Sequence, residues 1–349
     1  MYIYILLLYS IVYVNGTLVK NKDEFLDLVS RDKDTLEILI DSDITLDDNC
    51  NITHTINKLS ITGSSEDKSI LRFSNPLHQL FFGNGIKEIE IQNISIIGNL
   101  FFSNNHQIII NFVSLYGKLD TDFNNNDYNN LKISNLTYNP NTFTTTKYCI
   151  NLNGNTEIIH SKFQGNSQCT DRIIRFNGSN KYKLNIDNVY LNGNFITSGL
   201  FIENGLNVNV NNSIFENIYS RKNENNEGGS SINIMNSYTK VTNSIFRNSY
   251  SQMGGGVFYL NNINDFLAEN IEVYNSTAIT SGSMAYITSD KQDSLAKFKN
   301  ITQIHSEETR GIQYGAKVQI KNYYAENLVN MDGSGCAFEI KDNSSIEIL

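Results

Sequence analysis

Along most of this chain apolar and polar residues alternate with period two in short runs, and turn residues separate the runs. One phrase recurs: alternating apolar residues, an asparagine, more apolar residues, and a second asparagine five or six positions on. It reads Ile89-Glu90-Ile91-Gln92-Asn93 on to Asn99, and Leu131-Lys132-Ile133-Ser134-Asn135 on to Asn141. It returns as Leu184-Asn185-Ile186-Asp187-Asn188 on to Asn194, and as Val208-Asn209-Val210-Asn211-Asn212 on to Asn217. Further copies are anchored at Asn243, Asn270, Asn300 and Asn322, and Ser161 takes the equivalent place in Ile158-Ile159-His160-Ser161-Lys162-Phe163. Successive differences between these anchors are 42, 26, 27, 24, 31, 27, 30 and 22 residues. The long interval contains the polar tract from Asp120 to Asn130, which reads as a surface loop inserted into one coil.

Between the anchors lies a second phrase, glycine followed by alternating apolar residues, as in Gly254-Gly255-Gly256-Val257-Phe258-Tyr259-Leu260, Gly282-Ser283-Met284-Ala285-Tyr286-Ile287 and Gly335-Cys336-Ala337-Phe338-Glu339-Ile340. Short strands repeating about every 25 residues predict a solenoid of stacked coils. The Leu-x-x-Leu-x-Leu spacing of a leucine-rich repeat is missing, and period two excludes a helical repeat. A β-sandwich would not place the same asparagine at one point of every repeat. In a parallel β-helix that recurrence has a cause. Equivalent residues stack about 4.8 Å apart, so asparagine amides donate and accept along the axis, and asparagine tolerates the left-handed backbone of a tight corner. The expected fold is therefore all-β, a right-handed parallel β-helix of about nine to eleven coils and about 45 to 50 Å long. Asn21 to Asp34, with Phe25, Leu26, Leu28 and Val29 largely on one side, predicts an N-terminal helix capping the first coil. Ile346-Glu347-Ile348-Leu349 ends in strand pattern, which leaves an edge for end-to-end pairing.

Met1 to Val14 is almost wholly apolar and is followed by Asn15-Gly16-Thr17, the pattern of a signal peptide spanning 1–16 and removed after Gly16. It is shorter than the roughly 20 residues a membrane helix needs, and no later run is long enough either. The mature chain is expected to be one domain, 17–349, secreted or at the cell surface, with no membrane span. Four cysteines fit an oxidising compartment. Cys149 and Cys169 are 20 residues apart, slightly less than one coil, and are the candidate disulfide, whereas Cys50 and Cys336 lie near opposite ends. The net charge of -9 excludes a basic face for nucleic acid. With five scattered histidines and no Cys-x-x-Cys, neither a metal site nor a cofactor is expected. Asparagine occupies about 53 positions, roughly 15% of the chain and well above ordinary usage. Sequons at Asn15, Asn51, Asn93, Asn135, Asn177, Asn211, Asn275, Asn300 and Asn343 number little more than the roughly 8 that chance predicts, so they are glycosylation candidates only if the leader is used.

These coils resemble the right-handed β-helix of the pectin-lyase-like superfamily over essentially the whole mature chain. The stretch Ser213 to Leu260 is also similar to the repeats of polymorphic outer-membrane adhesins, through Phe215-Glu216-Asn217, Gly228-Gly229-Ser230-Ser231-Ile232, Phe246-Arg247-Asn248 and Gly255-Gly256-Val257-Phe258. Asparagine follows phenylalanine here by two positions rather than that family's three. The adhesin resemblance implies adhesion and surface display without catalysis.

The pectin-lyase-like fold also carries polysaccharide hydrolases and lyases, so catalytic residues must be sought directly. The polygalacturonase-like succession of Asn-Thr-Asp, Asp-Asp, Gly-His-Gly and Arg-x-Lys is not found; Asp47-Asp48 is an isolated pair in a turn. A lyase needs calcium-binding acids and a basic arginine, and Asp171, Arg172 and Arg175 with Asp187 one coil later form the nearest grouping. Arg175 alternates with Ile174 and Phe176 and so faces outward. No Gly-x-Ser-x-Gly elbow occurs, and no Gly-Lys-Ser/Thr follows Gly254-Gly255-Gly256. Tyr219, Tyr238, Tyr250, Tyr259, Tyr274, Tyr286, Tyr314, Tyr323 and Tyr324 could stack on sugar rings, or simply stiffen the coils. The expectation is a non-catalytic binding or adhesion module for carbohydrate or an extracellular protein, with a polysaccharide-degrading enzyme and a passive structural protein as alternatives.

Overall fold

The computed structural model describes residues 16–123, 129–140, 145–221, 228–280, 282–290, 294–307, 317–329 and 345–349. Every strand pairing in it is parallel, and the strands form a 19-stranded ladder and a 10-stranded sheet. Because the polypeptide returns to the same place once per coil, each apolar residue meets its equivalent in the next coil. Ile89, Ile108 and Leu131 are in register, as are Ile91, Ile110 and Ile133, and all are at most 1% exposed. This is a parallel β-helix of about ten turns, as the repeat spacing predicts.

The corners explain the shape. In the recurring phrase the chain turns at Asn135, Asn188, Asn212, Asn243, Asn270, Asn300 and Asn322, all with φ between 49° and 57°. That bend divides the 19-stranded ladder lengthwise into a first and a second face, while the 10-stranded sheet makes a third. A second left-handed corner follows five residues later at Asn217, Asn248, Asn275 and Asn327, and a third precedes the first face at Asn204, Asn236 and Asn262. Amides stack along the first corner: Asn270 Nδ2 donates to Asn243 Oδ1 at 2.8 Å, Asn300 to Asn270 at 2.9 Å and Asn322 to Asn300 at 2.9 Å.

Two expectations about the repeat are corrected. The register sets His160, not Ser161, against Asn135, and His160 has the left-handed backbone with φ 50°. The 42-residue interval holds a complete extra coil, because strand Gln107–Tyr116 pairs with Ile86–Ile97 on one side and Asn130–Tyr138 on the other. Its corner residue is Phe112, with φ 51°. The tract after Asp120 begins as strand Leu119–Asp122 in the third face rather than as a loop, with Phe123 buried.

The N-terminal helix, α1, spans Lys22–Val29, shorter than the expected 21–34 because Lys33–Ile40 is already the first long strand. Asn21 caps it, its Oδ1 accepting from Glu24 N at 3.0 Å while Glu24 reaches back to Lys20 N at 2.8 Å. Phe25 and Val29 enter the core. The edge of Lys33–Ile40 is paired by strand Thr17–Val19.

Inside the coils, aromatic rings continue from turn to turn. Phe215 stacks on Phe246 at 5.1 Å, Phe246 meets Phe258 edge-on at 5.0 Å, and Phe258, Phe266 and Phe298 follow at 5.4 and 5.6 Å. Cys149 and Cys169 lie on adjacent strands of the third face, with Cα atoms 5.3 Å apart, and form the expected disulfide. Cys50 is a buried free thiol, and Cys336 lies outside the described residues. No described helix is long and apolar enough to cross a membrane.

Candidate functional site

A groove of about 750 Å³ runs across five coils of the first face. Its residues come from alternation: in each strand every second side chain points away from the core, so parallel register aligns outward side chains into rows. One row is Gln107, Asn130, Asn155, Lys183 and Asn207; the other is Ile109, Lys132, Glu157, Asn185 and Asn209. Lys132 and Glu157 pair at 3.1 Å across adjacent coils, both part-exposed, so this ion pair contributes little to stability. Asn209 Nδ2 donates to Asn207 Oδ1 at 3.3 Å. Lys181 lies at the groove edge with its ammonium 4.8 Å from the Tyr182 ring. One coil beyond Asn207, the first row continues to Tyr238, which is 51% exposed. The groove is thus a strip of amides, ammonium groups and one carboxylate that ends beside an open aromatic ring.

The third face has its own outward row: Phe81, Phe101, Asp120, Asn151, Arg175, Phe201, Asn233, Tyr259 and Tyr286. Arg175 Nη1 donates to Asn151 Oδ1 at 2.7 Å, Nη2 binds Glu203, and the guanidinium lies 5.3 Å from the Tyr148 ring. Lys118 holds Asp120 Oδ2 at 2.6 Å, while Asp120 Oδ1 is buried without a hydrogen-bond partner among the described residues. Burial pushes the Asp120 carboxyl above the usual carboxylate range, with Lys118 and Asn151 pulling the other way. Asp122 stands two residues along the same strand and points to the same side, about 7 Å away by the rise per residue.

The residues singled out from sequence are dispersed. Asp47 pairs with Lys22, and Asp48 is exposed beside it in a bend. Arg172 is fully buried and donates to the carbonyls of Gly228, at 2.8 Å, and Gly229, tying its own coil to a loop two coils on. Asp171, 8% exposed, lies 3.4 Å from Arg172 Nε. Asp187 is on the first face, where its Oδ1 accepts from the Asn211 and Asn212 amides at 2.8 and 3.0 Å, so it does not converge with Asp171, Arg172 and Arg175. Arg175 faces outward as expected, but its guanidinium is engaged on both sides. Several of the tyrosines stack on each other: Tyr219 on Tyr250 at 5.0 Å, and Tyr259 on Tyr286 at 5.3 Å. That arrangement stiffens the coils, and it leaves Tyr238 and Tyr324 as the exposed members. Tyr314, residues 1–15 of the expected signal peptide at 1–16, and the sequon Asn343 lie outside the described residues. The groove residues Lys132, Glu157, Lys183, Asn185 and Asn209 carry no local motif. The signal that finds them is the corner register: writing each coil under the last, aligned on its left-handed residue, brings the two rows into view.

No family model and no curated protein matches the chain. Among solved structures it is similar to one described as the crystal structure of the Agl-KA catalytic domain, with a TM-score of 0.48 and 12% identity, over 90% of this chain. The match takes in 62% of that domain, so the chain spans less than two thirds of its length. The parallel β-helix itself is established by the strand registers given above.

Proposed function

We propose that this chain is a secreted or cell-surface β-helix that binds an extended polysaccharide, without cleaving it, along the groove of its first face. The observation that carries the reading is the pair of polar rows repeated over five coils. Their advance of about 4.8 Å per coil is comparable with the length of one sugar unit in an extended chain. Asn155, Asn185, Asn207 and Asn209 offer donors and acceptors suited to hydroxyl groups, and Tyr238 offers a flat apolar ring at one end. The Cys149–Cys169 disulfide fits an oxidising compartment.

Asp120 favours a second reading. Burial raises the Asp120 carboxyl against the pull of its Lys118 partner, and Asp122 lies about 7 Å along the strand, within the roughly 6.5–9.5 Å that separates the two carboxyl groups of an inverting glycosidase. In that reading Asp120 is the general acid and Asp122 the base, on the third face.

Calorimetric titration of purified protein with a panel of soluble polysaccharides, with parallel assay of new reducing ends, separates the readings. Saturable binding without product, weakened at least tenfold by Asn185→Ala with Asn209→Ala while the urea midpoint is unchanged, is the expected result. Product release that Asp120→Asn abolishes would move the function to the third face. Silence across the panel would leave a protein ligand or a passive structural role.

A further inference from the structure

We propose that N-linked glycans occupy Asn51, Asn93 and Asn177, and that the sequons at Asn135, Asn211, Asn275 and Asn300 stay bare because their amide nitrogens join neighbouring coils. This rests on the secreted reading above. The atom that receives the sugar is Nδ2. In the second group that atom is already committed: Asn135 donates to Asn111 Oδ1 at 3.1 Å, Asn211 to Asp187 Oδ1 at 2.8 Å, Asn275 to Asn248 Oδ1 at 3.0 Å and Asn300 to Asn270 Oδ1 at 2.9 Å. A sugar on any of them replaces one of the two amide hydrogens inside a stack whose members repeat about every 4.8 Å. The bulk of a pyranose at that spacing presses on the equivalent residue of the next coil.

The three proposed acceptors lack this constraint. Asn51 is exposed on strand Cys50–Ile52, at the edge of the third face, which among the described residues is paired with Gln79–Phe82 alone. Asn177 ends strand Cys169–Asn177 and turns its Oδ1 to Ser179 N at 2.9 Å, with no partner for Nδ2 among the described residues. Asn93 stands at the first corner, but its neighbours there are Gly63 and Phe112, neither of which carries an amide side chain. Exposure alone would choose differently, since Asn275 and Asn300 are more open than Asn93 and Asn177. The two criteria therefore make opposite predictions.

The test is expression of the full chain, with its own first 16 residues, in a glycosylating eukaryotic host, followed by site-by-site glycopeptide mapping of medium and lysate. The expected map has sugar on Asn51, Asn93 and Asn177 of the secreted, protease-resistant protein and none on the four stacked sequons. Sugar on any stacked sequon of that folded fraction overturns the proposal, and so does a secreted protein bare at all three acceptors. A chain retained in the cytosol carries no sugar anywhere and overturns the secreted reading together with this one, which keeps the two failures distinguishable.

Discussion

At the asparagine first corners one residue holds a left-handed backbone, and in the Asn243 to Asn322 run its amide also bonds to the neighbouring coils. Asn270 has φ 57°, donates to Asn243 and accepts from Asn300. For most L-residues that backbone costs roughly 1–2 kcal/mol, whereas glycine adopts it freely. Asn270→Ala should therefore destabilise the protein by about 2 kcal/mol, the strain plus two part-exposed hydrogen bonds, and Asn270→Gly by about 1 kcal/mol less. Urea denaturation measures both, and equal losses would show that the stacked amides, not the backbone, set the cost. The same physics explains what could be read from the sequence and what could not. Asparagine corners were legible because one residue type meets both demands. Phe112 and His160 meet only the backbone demand, at φ 51° and 50°, and they carry no sequence signal of a corner. That is why one coil was hidden and one anchor fell a residue late.

Strands were legible where alternation was strict, and least so where polar residues outnumbered apolar ones. Leu119–Asp122 has one apolar residue and reads as loop, yet Leu119 aligns with Leu100 and Ile150 and completes a coil. The helix was found from its apolar side and its acidic first turn, but its end was placed late because the residues from Lys33 on are held by pairing with Ile56–Gly63, a contact invisible in local sequence. The disulfide was legible as a spacing and became definite only with register: Thr146–Asn153 pairs with Cys169–Asn177, so the bond crosses one coil boundary beside the Thr146/Tyr148 irregularity. The closed loop is 20 residues in sequence separation, for which chain entropy gives about 3 kcal/mol. The double substitution Cys149→Ser with Cys169→Ser should lower stability by about that amount, measured by urea denaturation without reductant. The unsubstituted protein treated with dithiothreitol should fall to the same value. A loss well below 1 kcal/mol would mean that neighbouring strand pairing already restrains this coil in the unfolded chain.

At the scale of the molecule, each coil touches mainly the coil before and the coil after, so stability is close to a sum of local terms and nearest-neighbour terms. This is also why the candidate groove escaped local sequence reading: it draws two residues from each of five coils and exists only once the coils are stacked. The same near-one-dimensional character makes the ends differ from the middle. Gln107–Tyr116 is paired along both edges, whereas Lys317–Val329 has Leu295–Glu307 on one edge and, among the described residues, Ser345–Ile348 over its first four residues on the other. Ile320 is 3% exposed in that last stretch, and Ile320→Ala removes buried methyl groups at a local cost of about 2–5 kcal/mol. Native-state hydrogen exchange should then show protection lost in Lys317–Val329 and weakened in Leu295–Glu307, with Ile86–Ile97 and Gln107–Tyr116 unchanged. A uniform loss across all four strands would show instead that the aromatic stack from Phe215 to Phe298 and the amide ladder from Asn243 to Asn322 join the coils into one cooperative unit. The side chains that continue through the solenoid would then outweigh its repeat architecture in deciding how it unfolds.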